Sequence, residues 1–390
     1  MKHCILAAVI TAAAFISTAA EVQLDLFSSQ KHWRSAVKNK NMTYKFDGKE
    51  KCMRFFEPCL VKTQFMLPVD KFDKKFTGII FKVKGDGSDN YGNLTISGTP
   101  VLGLRTVFPV KNTQWVEYCA AFKDMAPFSD FSTVPVTAVP GKKFYEIAIG
   151  DNRSLGPGNK KRSTFCYWIK DLRLTDREFA ENVPPPDAAS LEMVIEKLRA
   201  KQPVKLLFLG DSITAGTGLK SPATQTYAAV LTEMLKKYFN NPAVSFRTGA
   251  VGGFHTYEVL SYLKRDLAEA IPDVVFVLIG YNSRNSGQNK EVYTAHMELL
   301  IKRINAETSG KSAIVLLPTV PGVPRFATQQ DMAEACRQLA AKYKLTVVNI
   351  DKYIEEVGPE QYKAKYLHDS VHPNPEGHKF FAEKIMTAFK

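Results

Sequence analysis

Two hydrophobic patterns divide this 390-residue chain and predict an all-β sandwich domain followed by a doubly wound α/β domain. In the first part, short apolar or alternating runs rich in β-branched and aromatic residues are separated by Gly, Asn, Asp and Pro. In the second part, continuous apolar runs alternate with helical patterns, as expected for strands buried on both faces of a parallel sheet. Between them, the three prolines of "TDREFAENVPPPDAAS" exclude a helix and favour an extended linker.

The first twenty residues have the composition of a secretory signal peptide. Lys2 and His3 precede the apolar run "CILAAVITAAAFI", and small residues follow up to Ala20. This run is too short to cross a bilayer, and no later segment has about 20 consecutive apolar residues. We therefore expect cleavage near Ala20 and an exported mature protein, periplasmic or extracellular, without stable membrane insertion.

Residues 21–175 form the predicted sandwich. Its strand-like runs include "TGIIFKVKGDG", "YGNLTISG", "WVEYCAAF", "KKFYEIAIG" and "TFCYWIKDLRL". Cysteines at 52, 59, 119 and 166 fall in this part, so one or two disulfides are open in an oxidising compartment. Cys336 lies in a helical pattern of the second part and is expected to be a buried small hydrophobe.

The three tryptophans of the chain all lie in the first domain. Exposed aromatic rings can stack on sugars, but a tryptophan inside an alternating strand is more often a core residue. We accordingly interpret Trp115 and Trp168 as core residues. Trp33 precedes the strands and stays a candidate for substrate binding.

Residues 203–390 contain five β–α units, and residues 176–202 supply a Pro-rich linker and a leading helix. The buried runs are "KLLFLG", "AVSFRTG", "DVVFVLIG", "SAIVLLPT" and "LTVVNI". They predict a five-stranded parallel sheet of flavodoxin-like order. The final helix has Asn374 as a plausible cap and Pro375 at its first position. In such sheets, chemistry gathers at the carboxyl ends of the strands.

Polar and glycine signals occur at those strand ends. Ser212 follows the first strand in "LFLGDSITAG", Gly252 follows the second, and Asn282 follows the third in "VLIGYNSRN". Asp369 and His372 stand in "HDSVHPNPEG", just before the last helix. Each signal alone is weak, because Ser after a strand often caps a helix and Gly or Asn often serves a turn. Their joint order along the chain points to one site.

With these marks, residues 203–390 resemble the SGNH (GDSL-like) hydrolases. The marks are the Ser of "GDS", a Gly after the second strand, the Asn of a "GxN" turn and the Asp and His of "DxxHP". Where the family often has "GxND", this sequence has Ser283, which puts loop support or substrate preference in question. The first domain resembles jelly-roll modules of the carbohydrate-binding or galactose-binding-like kind, through "GIIFKVKGDGSDNYGNLTI", "GKKFYEIAIG" and "YWIKDLRL".

The residue types suit ester hydrolysis by a nucleophilic serine. His372 is the candidate base for Ser212, and Asp369 can hold one imidazole nitrogen so that the other faces the serine. The resemblance implies that the Ser212 and Gly252 backbone N–H groups and the Asn282 amide stabilise the oxyanion. Gly253 is an alternative donor if the register of the loop differs.

Other residues compete for roles in this site. His368 neighbours Asp369 and could act as the base, although the family spacing favours His372. His255 is a candidate for the lining of the substrate pocket. Arg284 is a candidate for binding an acidic group of the substrate, and the alternative is a solvated surface residue. The catalytic set needs no cofactor, and no cluster with metal-ligand spacing occurs in the sequence.

The net charge of +13 and the sequence pI of about 9.3 reflect a basic excess that lies mostly in the first half. This distribution favours an acidic polymer or an anionic surface as a partner, and the alternative is a solvated basic face. Nucleic acid is not expected, because the chain carries an export signal and no recognisable nucleic-acid motif.

The sequence thus predicts a secreted serine esterase that removes O-acetyl or other small acyl groups from a carbohydrate. One alternative is a lipase-like or lysophospholipase-like acylhydrolase, since the same catalytic set serves many acyl substrates. Another is a non-catalytic carbohydrate-binding protein with an inactive hydrolase-like half.

Overall fold

The computed structural model of the protein describes residues 20–36, 44–57, 59–64, 75–98, 103–129, 139–140, 146–151, 164–179, 184–319 and 327–390. Residues 1–19 of the expected signal peptide lie outside the described residues. Its cleavage and the export of the protein therefore stay predictions. No helix in the described ranges is long and apolar enough to span a bilayer.

The first domain is built from antiparallel strands. In chain order these are β1 (Glu21–Gln23), β2 (Arg34–Ser35), β3 (Tyr44–Asp47), β4 (Cys52–Glu57), β5 (Val61–Gln64), β6 (Lys75–Phe76), β7 (Gly78–Gly85), β8 (Tyr91–Ser97), β9 (Gly103–Pro109), β10 (Val116–Ala121), β11 (Ala126–Pro127), β12 (Val139–Pro140), β13 (Glu146–Ile149) and β14 (Phe165–Thr175). Short 3-10 helices cover Gln30–His32 and Phe122–Asp124.

Two six-stranded sheets form the sandwich. One has the order β10-β7-β14-β4-β3, with β1 beside β14, and the other has the order β11-β9-β8-β13-β5-β2. Strands β4, β14, β7 and β10 of one sheet and β5, β13, β8 and β9 of the other follow the jelly-roll order. The all-β prediction for this domain is confirmed.

Alternating burial along the strands explains the core of the sandwich. In β4, Met53 and Phe55 face inward and are fully buried, while the next residue along each time is only partly buried. Trp33 joins this core with 5% exposure. Its indole N–H donates to the Leu26 carbonyl at 2.7 Å, and its ring packs on Phe55. The candidate role of Trp33 in substrate binding is therefore wrong, because no face of the ring is open to a sugar.

Trp168 and Trp115, which the sequence predicted to be core residues, are instead partly exposed. Both are partly exposed on the outer face of the first sheet, where Trp168 pairs across the strands with Arg54 and Lys84. Arg54 and Lys84 lie 4.8 and 4.9 Å from the Trp168 ring centre, and Lys84 and Lys170 lie 5.1 and 4.2 Å from that of Trp115. We call these five residues the basic–aromatic face.

The cysteines of the first domain are unpaired in the described structure. Cys52 and Cys59 are buried. Cys119 is exposed on β10, which is an edge strand of the first sheet. Cys166 contacts the Arg54 guanidinium at 3.3 Å. The disulfides that the cysteine count left open do not form here. Cys336 is 1% exposed, as expected of a buried hydrophobe.

The second domain alternates parallel strands with helices. Its strands are β15 (Val204–Gly210), β16 (Val244–Thr248), β17 (Val274–Leu278), β18 (Ala313–Leu316) and β19 (Thr346–Val347). Its helices are α1 (Leu191–Arg199), α2 (Ser212–Ala215), α3 (Pro222–Gln225), α4 (Tyr227–Phe239), α5 (Thr256–Leu267), α6 (Tyr281–Asn285), α7 (Lys290–Thr308), α8 (Gln330–Tyr343), α9 (Ile350–Val357), α10 (Pro359–Tyr366) and α11 (Pro375–Met386). Further 3-10 helices cover Ala327–Gln329 and Thr387–Phe389.

The five parallel strands run in the order β16-β15-β17-β18-β19, which confirms the flavodoxin-like sheet. Strand β17 is buried along its whole length, as its continuous apolar run predicts. Asn374 caps α11 by accepting the Gly377 N–H at 2.9 Å, and Pro375 occupies the first helical position. The carboxyl ends of β15, β16 and β17 lie side by side and carry the predicted site residues.

The two domains share an interface with both apolar and polar contacts. Val107 and Ala126 of the sandwich belong to the same hydrophobic cluster as residues of α5 and α7. Arg303 of α7 donates to the Met125 carbonyl at 2.8 Å. Among the described residues, strand β14 ends at Thr175 and the next helix or strand is α1. The assignment of residues 176–202 as a Pro-rich linker and a leading helix remains a proposal.

Candidate active site

Ser212, His372 and Asp369 lie in hydrogen-bond contact, although Asp369 comes 157 positions after Ser212 in the chain. The His372 Nε2 atom lies 2.9 Å from the Ser212 hydroxyl, and the His372 Nδ1 atom lies 2.8 Å from the Asp369 carboxylate. Because a carboxylate only accepts, Nδ1 carries the imidazole proton and Nε2 is free to accept the proton of the serine. This is the arrangement that a nucleophilic serine requires.

The turn from β15 into α2 places Ser212. Asp211 is the N-cap of α2, and its buried carboxylate accepts the Ile213 N–H at 3.0 Å. Ser212 is therefore the first residue of a one-turn helix, which ends at Gly216 with φ +77°. The serine begins a helix and also faces the histidine, so the structural and the chemical reading of "GDS" hold together.

The two carboxylates next to the serine have opposite environments. Burial raises the pKa of Asp211 to about 6, against the hydrogen bond from Ile213. Asp369 is also partly desolvated, but hydrogen bonds from the His372 and Val371 N–H groups and from the imidazole outweigh this and lower its pKa to about 2. Asp369 is thus ionised throughout the neutral range and can hold the imidazole and stabilise its charged form.

The candidate oxyanion donors fall into two kinds. The backbone N–H groups of Ser212 and Gly252 have no hydrogen-bond partner in the described part of the chain. A Cβ added to Gly252 would lie 3.8 Å from the Ser212 Cβ, so this glycine borders the space above the nucleophile. The Asn282 amide, in contrast, donates both of its hydrogens, to the Phe254 carbonyl at 3.0 Å and to the Asp211 carboxylate at 3.4 Å. To bind an oxyanion it would have to exchange one of these bonds, and the longer one to Asp211 is the weaker of the two.

Gly252 and Gly253 have separate roles in their loop. Gly253 has φ +79°, a conformation that favours glycine, whereas Gly252 is not in the left-handed region. Gly252 is thus not needed for a turn, and the absence of its side chain keeps the approach to Ser212 open.

Ser283, which departs from the family pattern, is fully buried and supports the loop. Its hydroxyl accepts the Thr256 N–H at 3.0 Å and lies 3.2 Å from the Thr256 hydroxyl. It thereby holds the start of α5 against α6. A serine suffices at this position because one acceptor oxygen satisfies the first N–H of α5.

His255 lies in a second hydrogen-bonded cluster beside this site. Its Nε2 atom lies 2.9 Å from the Ser286 hydroxyl, and its Nδ1 atom lies 3.1 Å from Glu258 and 3.0 Å from the Tyr257 hydroxyl. Phe128 of the first domain packs edge-on against Tyr257, with ring centres 4.9 Å apart. The sandwich therefore buttresses the ring that holds His255.

The other competing residues have structural partners. His368 donates from Nε2 to the Thr217 carbonyl at 3.1 Å and stacks on the His372 ring, so it does not take the place of the base. Arg284 donates to the carbonyls of Thr328 and Gln288 at 2.8 and 3.2 Å. Since these bonds tie α6 to the following segments, Arg284 is not poised to bind an acidic group of the substrate.

His368, Asp369 and His372 also place possible ligand atoms within 4.8 Å of one another, a spacing that a metal ion could use. This grouping is not apparent from the spacing of the residues in the sequence. Its atoms have other partners, since His372 bridges Ser212 and Asp369 while His368 bonds to a backbone carbonyl. The donor set therefore fits a proton relay better than a metal centre.

Three contributors escaped the sequence analysis. Asp211 was seen only as part of "GDS", and Glu258 and Ser286 were not singled out. The spacing of His255 and Glu258, with the acid at the third helical position, is a capping-box pattern that could have drawn attention to this pair. Ser286 carries no such signal.

A family model described as GDSL-like lipase/acylhydrolase matches residues 208–380. This match confirms the resemblance of the second domain to the GDSL-like hydrolases, and it supports an ester-cleaving hydrolytic activity. The matched residues include all the candidate catalytic and oxyanion positions named above.

Similar proteins include an arylesterase of Vibrio mimicus, 27% identical over 184 residues that cover 46% of this chain and 86% of that protein. A two-domain esterase active on acetylated mannans is 26% identical, with 51% of each chain covered and a TM-score of 0.43. This chain thus spans about half the length of that esterase. An acetylxylan esterase from Geobacillus stearothermophilus is 20% identical over 48% of this chain and 94% of its own, with a TM-score of 0.42.

Proposed function

We propose that this protein is a secreted serine esterase that removes acetyl or other small acyl groups from a carbohydrate. Ser212 is the nucleophile, His372 is the general base and acid, and Asp369 orients and stabilises the imidazole. The observation that carries the proposal is the hydrogen-bonded series from the Ser212 hydroxyl through His372 to Asp369, at 2.9 and 2.8 Å. Residue spacing and geometry support the same three residues.

In this mechanism the Ser212 oxygen attacks the ester carbonyl while its proton passes to the Nε2 atom of His372. The carbonyl oxygen becomes an oxyanion, which the Ser212 and Gly252 N–H groups and the Asn282 amide can stabilise. Protonated His372 then gives its proton to the leaving alcohol, and an acyl-serine remains. A water molecule then gives a proton to His372 and attacks the acyl-serine. As the bond between the acyl group and the Ser212 oxygen breaks, His372 returns the proton to that oxygen and the carboxylic acid leaves.

A small acyl group on a hydroxylated alcohol suits the surroundings of Ser212. The groups that the structure places against Ser212 are the His372 imidazole, 2.9 Å from its hydroxyl, and Gly252, which has no side chain. A long acyl chain would instead call for an apolar groove. The sandwich domain, with its resemblance to sugar-binding jelly rolls, and the signal-peptide composition of the N-terminus support a carbohydrate and an extracytoplasmic location.

The test is an acyl-release screen on defined acetylated polysaccharides with Ser212→Ala as the control. We expect acetate release by the wild type and its loss in the variant. Comparison of 4-nitrophenyl acetate with longer acyl esters separates an acetylesterase from a lipase-like acylhydrolase. Labelling of Ser212 by a fluorophosphonate probe separates an enzyme from a binding protein. Release of long acyl chains in preference to acetate, or full activity of Ser212→Ala, would overturn the proposal.

We further propose that the carbohydrate is a polymer with anionic groups and that it binds the basic–aromatic face. Arg54 and Lys84 flank Trp168 from neighbouring strands, and both charges contact its ring. Among the described residues no carboxylate forms an ion pair with either of them, whereas Lys170 of the same face lies 3.9 Å from Glu50. They lie two strands apart, about 10 Å, which suits charges spaced along an extended chain. The residues of this face are partly exposed to solvent and can be reached by a polymer, whereas Trp33 is buried in the core of the domain.

Gel retardation with neutral and acidic polysaccharides tests this second proposal. We expect acidic polymers to retard the wild type more, and Arg54→Ala and Lys84→Ala to reduce that retardation. Lys205→Ala is the matched control, because Lys205 is an exposed cation of the other domain. The effect should weaken as salt is added. Equal retardation by both polymers, or no effect of the two variants, would contradict the proposal.

A further inference from the structure

The cluster around His255 repeats the hydrogen-bond pattern of the candidate catalytic residues. A serine hydroxyl lies 2.9 Å from Nε2 of the imidazole in both places, and a carboxylate lies 2.8 or 3.1 Å from Nδ1. Since the Glu258 carboxylate only accepts, Nδ1 of His255 carries the proton and Nε2 accepts from Ser286. The arrangement therefore fixes the tautomer of His255 and the direction in which Ser286 donates.

This second cluster is connected to the loop and the helix that carry the candidate oxyanion groups. His255 follows the Gly252 loop that borders Ser212, and the preceding Phe254 carbonyl accepts the Asn282 amide. Ser286 closes the same helix, α6, in which Asn282 stands. A molecule bound at Ser212 by its ester group thus has His255 and Ser286 within its surroundings.

Ser286 does not have the surroundings of a second nucleophile. Its own N–H donates to the Asn282 carbonyl at 3.0 Å, and the Gly287 N–H donates to the Arg284 carbonyl at 3.1 Å. Neither backbone donor is available to an oxyanion, in contrast to the N–H groups of Ser212 and Gly252. The chemistry left to this pair is recognition.

We propose that Ser286 and His255 form a subsite that binds a hydroxyl group of the alcohol part of the substrate, next to the ester that is cleaved. Ser286 is exposed, and its oxygen can accept a hydrogen bond from an incoming hydroxyl while its own O–H donates to His255. Glu258 is fully buried and fixes the imidazole, and Tyr257 with Phe128 holds the ring in place. The inference rests on the proposed esterase function, for which it supplies the residues that distinguish a sugar from a plain alcohol.

Two acetate esters with the same ring size test this subsite. A mono-O-acetyl methyl pyranoside carries ring hydroxyls, and cyclohexyl acetate carries none. The quantity measured is the ratio of kcat/KM for the pyranoside to that for cyclohexyl acetate. We expect the wild type to favour the pyranoside, and Ser286→Ala to lower the ratio about 3- to 10-fold through the loss of one hydrogen bond, mainly by raising KM.

Two further variants separate recognition from a structural effect. Ser286→Thr keeps the hydroxyl and should restore most of the ratio. His255→Gln should lower it to a similar extent, and the double variant with Ser286→Ala should lower it little further, because the pair acts as a unit. Ser245→Ala, an exposed serine on β16, serves as the control for a serine-to-alanine change.

The outcomes distinguish this inference from the proposed function. If the wild type cleaves cyclohexyl acetate as well as or better than every pyranoside acetate, both the carbohydrate proposal and the subsite are wrong. If the wild type prefers pyranosides but Ser286→Ala leaves the ratio unchanged, or lowers both kcat/KM values equally, only the subsite is wrong.

Discussion

Replacement of Gly252 by alanine should separate the stability of the protein from its activity. The added methyl group would lie 3.8 Å from the Ser212 Cβ, which is an ordinary van der Waals distance. Apart from the two neighbouring residues in the chain, no other described heavy atom would lie within 4 Å of it. Since Gly252 is outside the left-handed region, the backbone accepts alanine without strain. We expect the free energy of unfolding to stay the same or rise by about 0.4–1 kcal/mol, because alanine restricts the unfolded chain.

The same methyl group should strongly reduce catalysis. It would stand over the nucleophile, where the ester carbonyl must lie to reach the Gly252 N–H. An oxyanion donor acts at about 2.7–3.1 Å, and the loss of one donor costs about 2.7–4 kcal/mol of barrier. This corresponds to a fall in kcat of about 100- to 1,000-fold.

The assay is steady-state hydrolysis of 4-nitrophenyl acetate, measured beside chemical unfolding of the same preparation. Gly253→Ala is the matched control, since its φ of +79° makes alanine strained. We expect this variant to lose about 1 kcal/mol or more of stability, where Gly252→Ala loses none. The reasoning is refuted if Gly252→Ala keeps activity within a few-fold of the wild type, or if it is the less stable of the two.

The remaining predictions concern three carboxyl or hydroxyl groups. Asp369→Asn should lower kcat about 10³- to 10⁴-fold, because an amide nitrogen facing Nδ1 favours the wrong tautomer of His372; a retained kcat in ester hydrolysis would exclude Asp369 from this role. Ser283→Ala should reduce the free energy of unfolding by about 1–3 kcal/mol, since the buried Thr256 N–H loses its acceptor, whereas Ser245→Ala should change it little in the same urea titration. Burial raises the pKa of Glu57 to about 7, so the folded state keeps a proton that the unfolded state releases above its own pKa of 4.5. Stability should therefore fall as pH rises through this window, by up to about 3 kcal/mol from this group; Glu57→Gln should flatten that part of the profile, and an identical profile in the variant would contradict the assignment.

Much of the site could be predicted from local sequence signals at strand ends. The apolar run before "GDS" specifies a buried strand, and Asp211 then caps the helix that begins with Ser212. The three-residue spacing of Asp369 and His372 lets one carboxylate oxygen accept the His372 N–H while the other meets the imidazole. Such features depend on a few neighbouring residues, so a pattern can reveal them.

Predictions about exposure were less reliable, as the tryptophans demonstrate. Trp33 lies outside any long strand pattern but fills the core beside Phe55. Trp168 occupies an alternating strand yet faces outward, because its neighbours Tyr167 and Ile169 take the inward positions. An alternating pattern shows that one face of a strand is buried. Where apolar and aromatic residues occur on both faces, the pattern does not show which face carries the exposed aromatic ring.

The sequence by itself determined the two fold classes, the strand order of the second domain and the three residues that meet at its candidate active site. The tertiary structure decided which polar groups are already paired. Arg284 and His368 donate to backbone carbonyls, whereas the Ser212 and Gly252 N–H groups have no partner among the described residues. His255 contacts Ser286 and Tyr257, and Tyr257 packs on Phe128 of the sandwich. The physical reason is that periodicity and capping act over a few residues, whereas hydrogen-bond satisfaction depends on groups brought together across the whole chain.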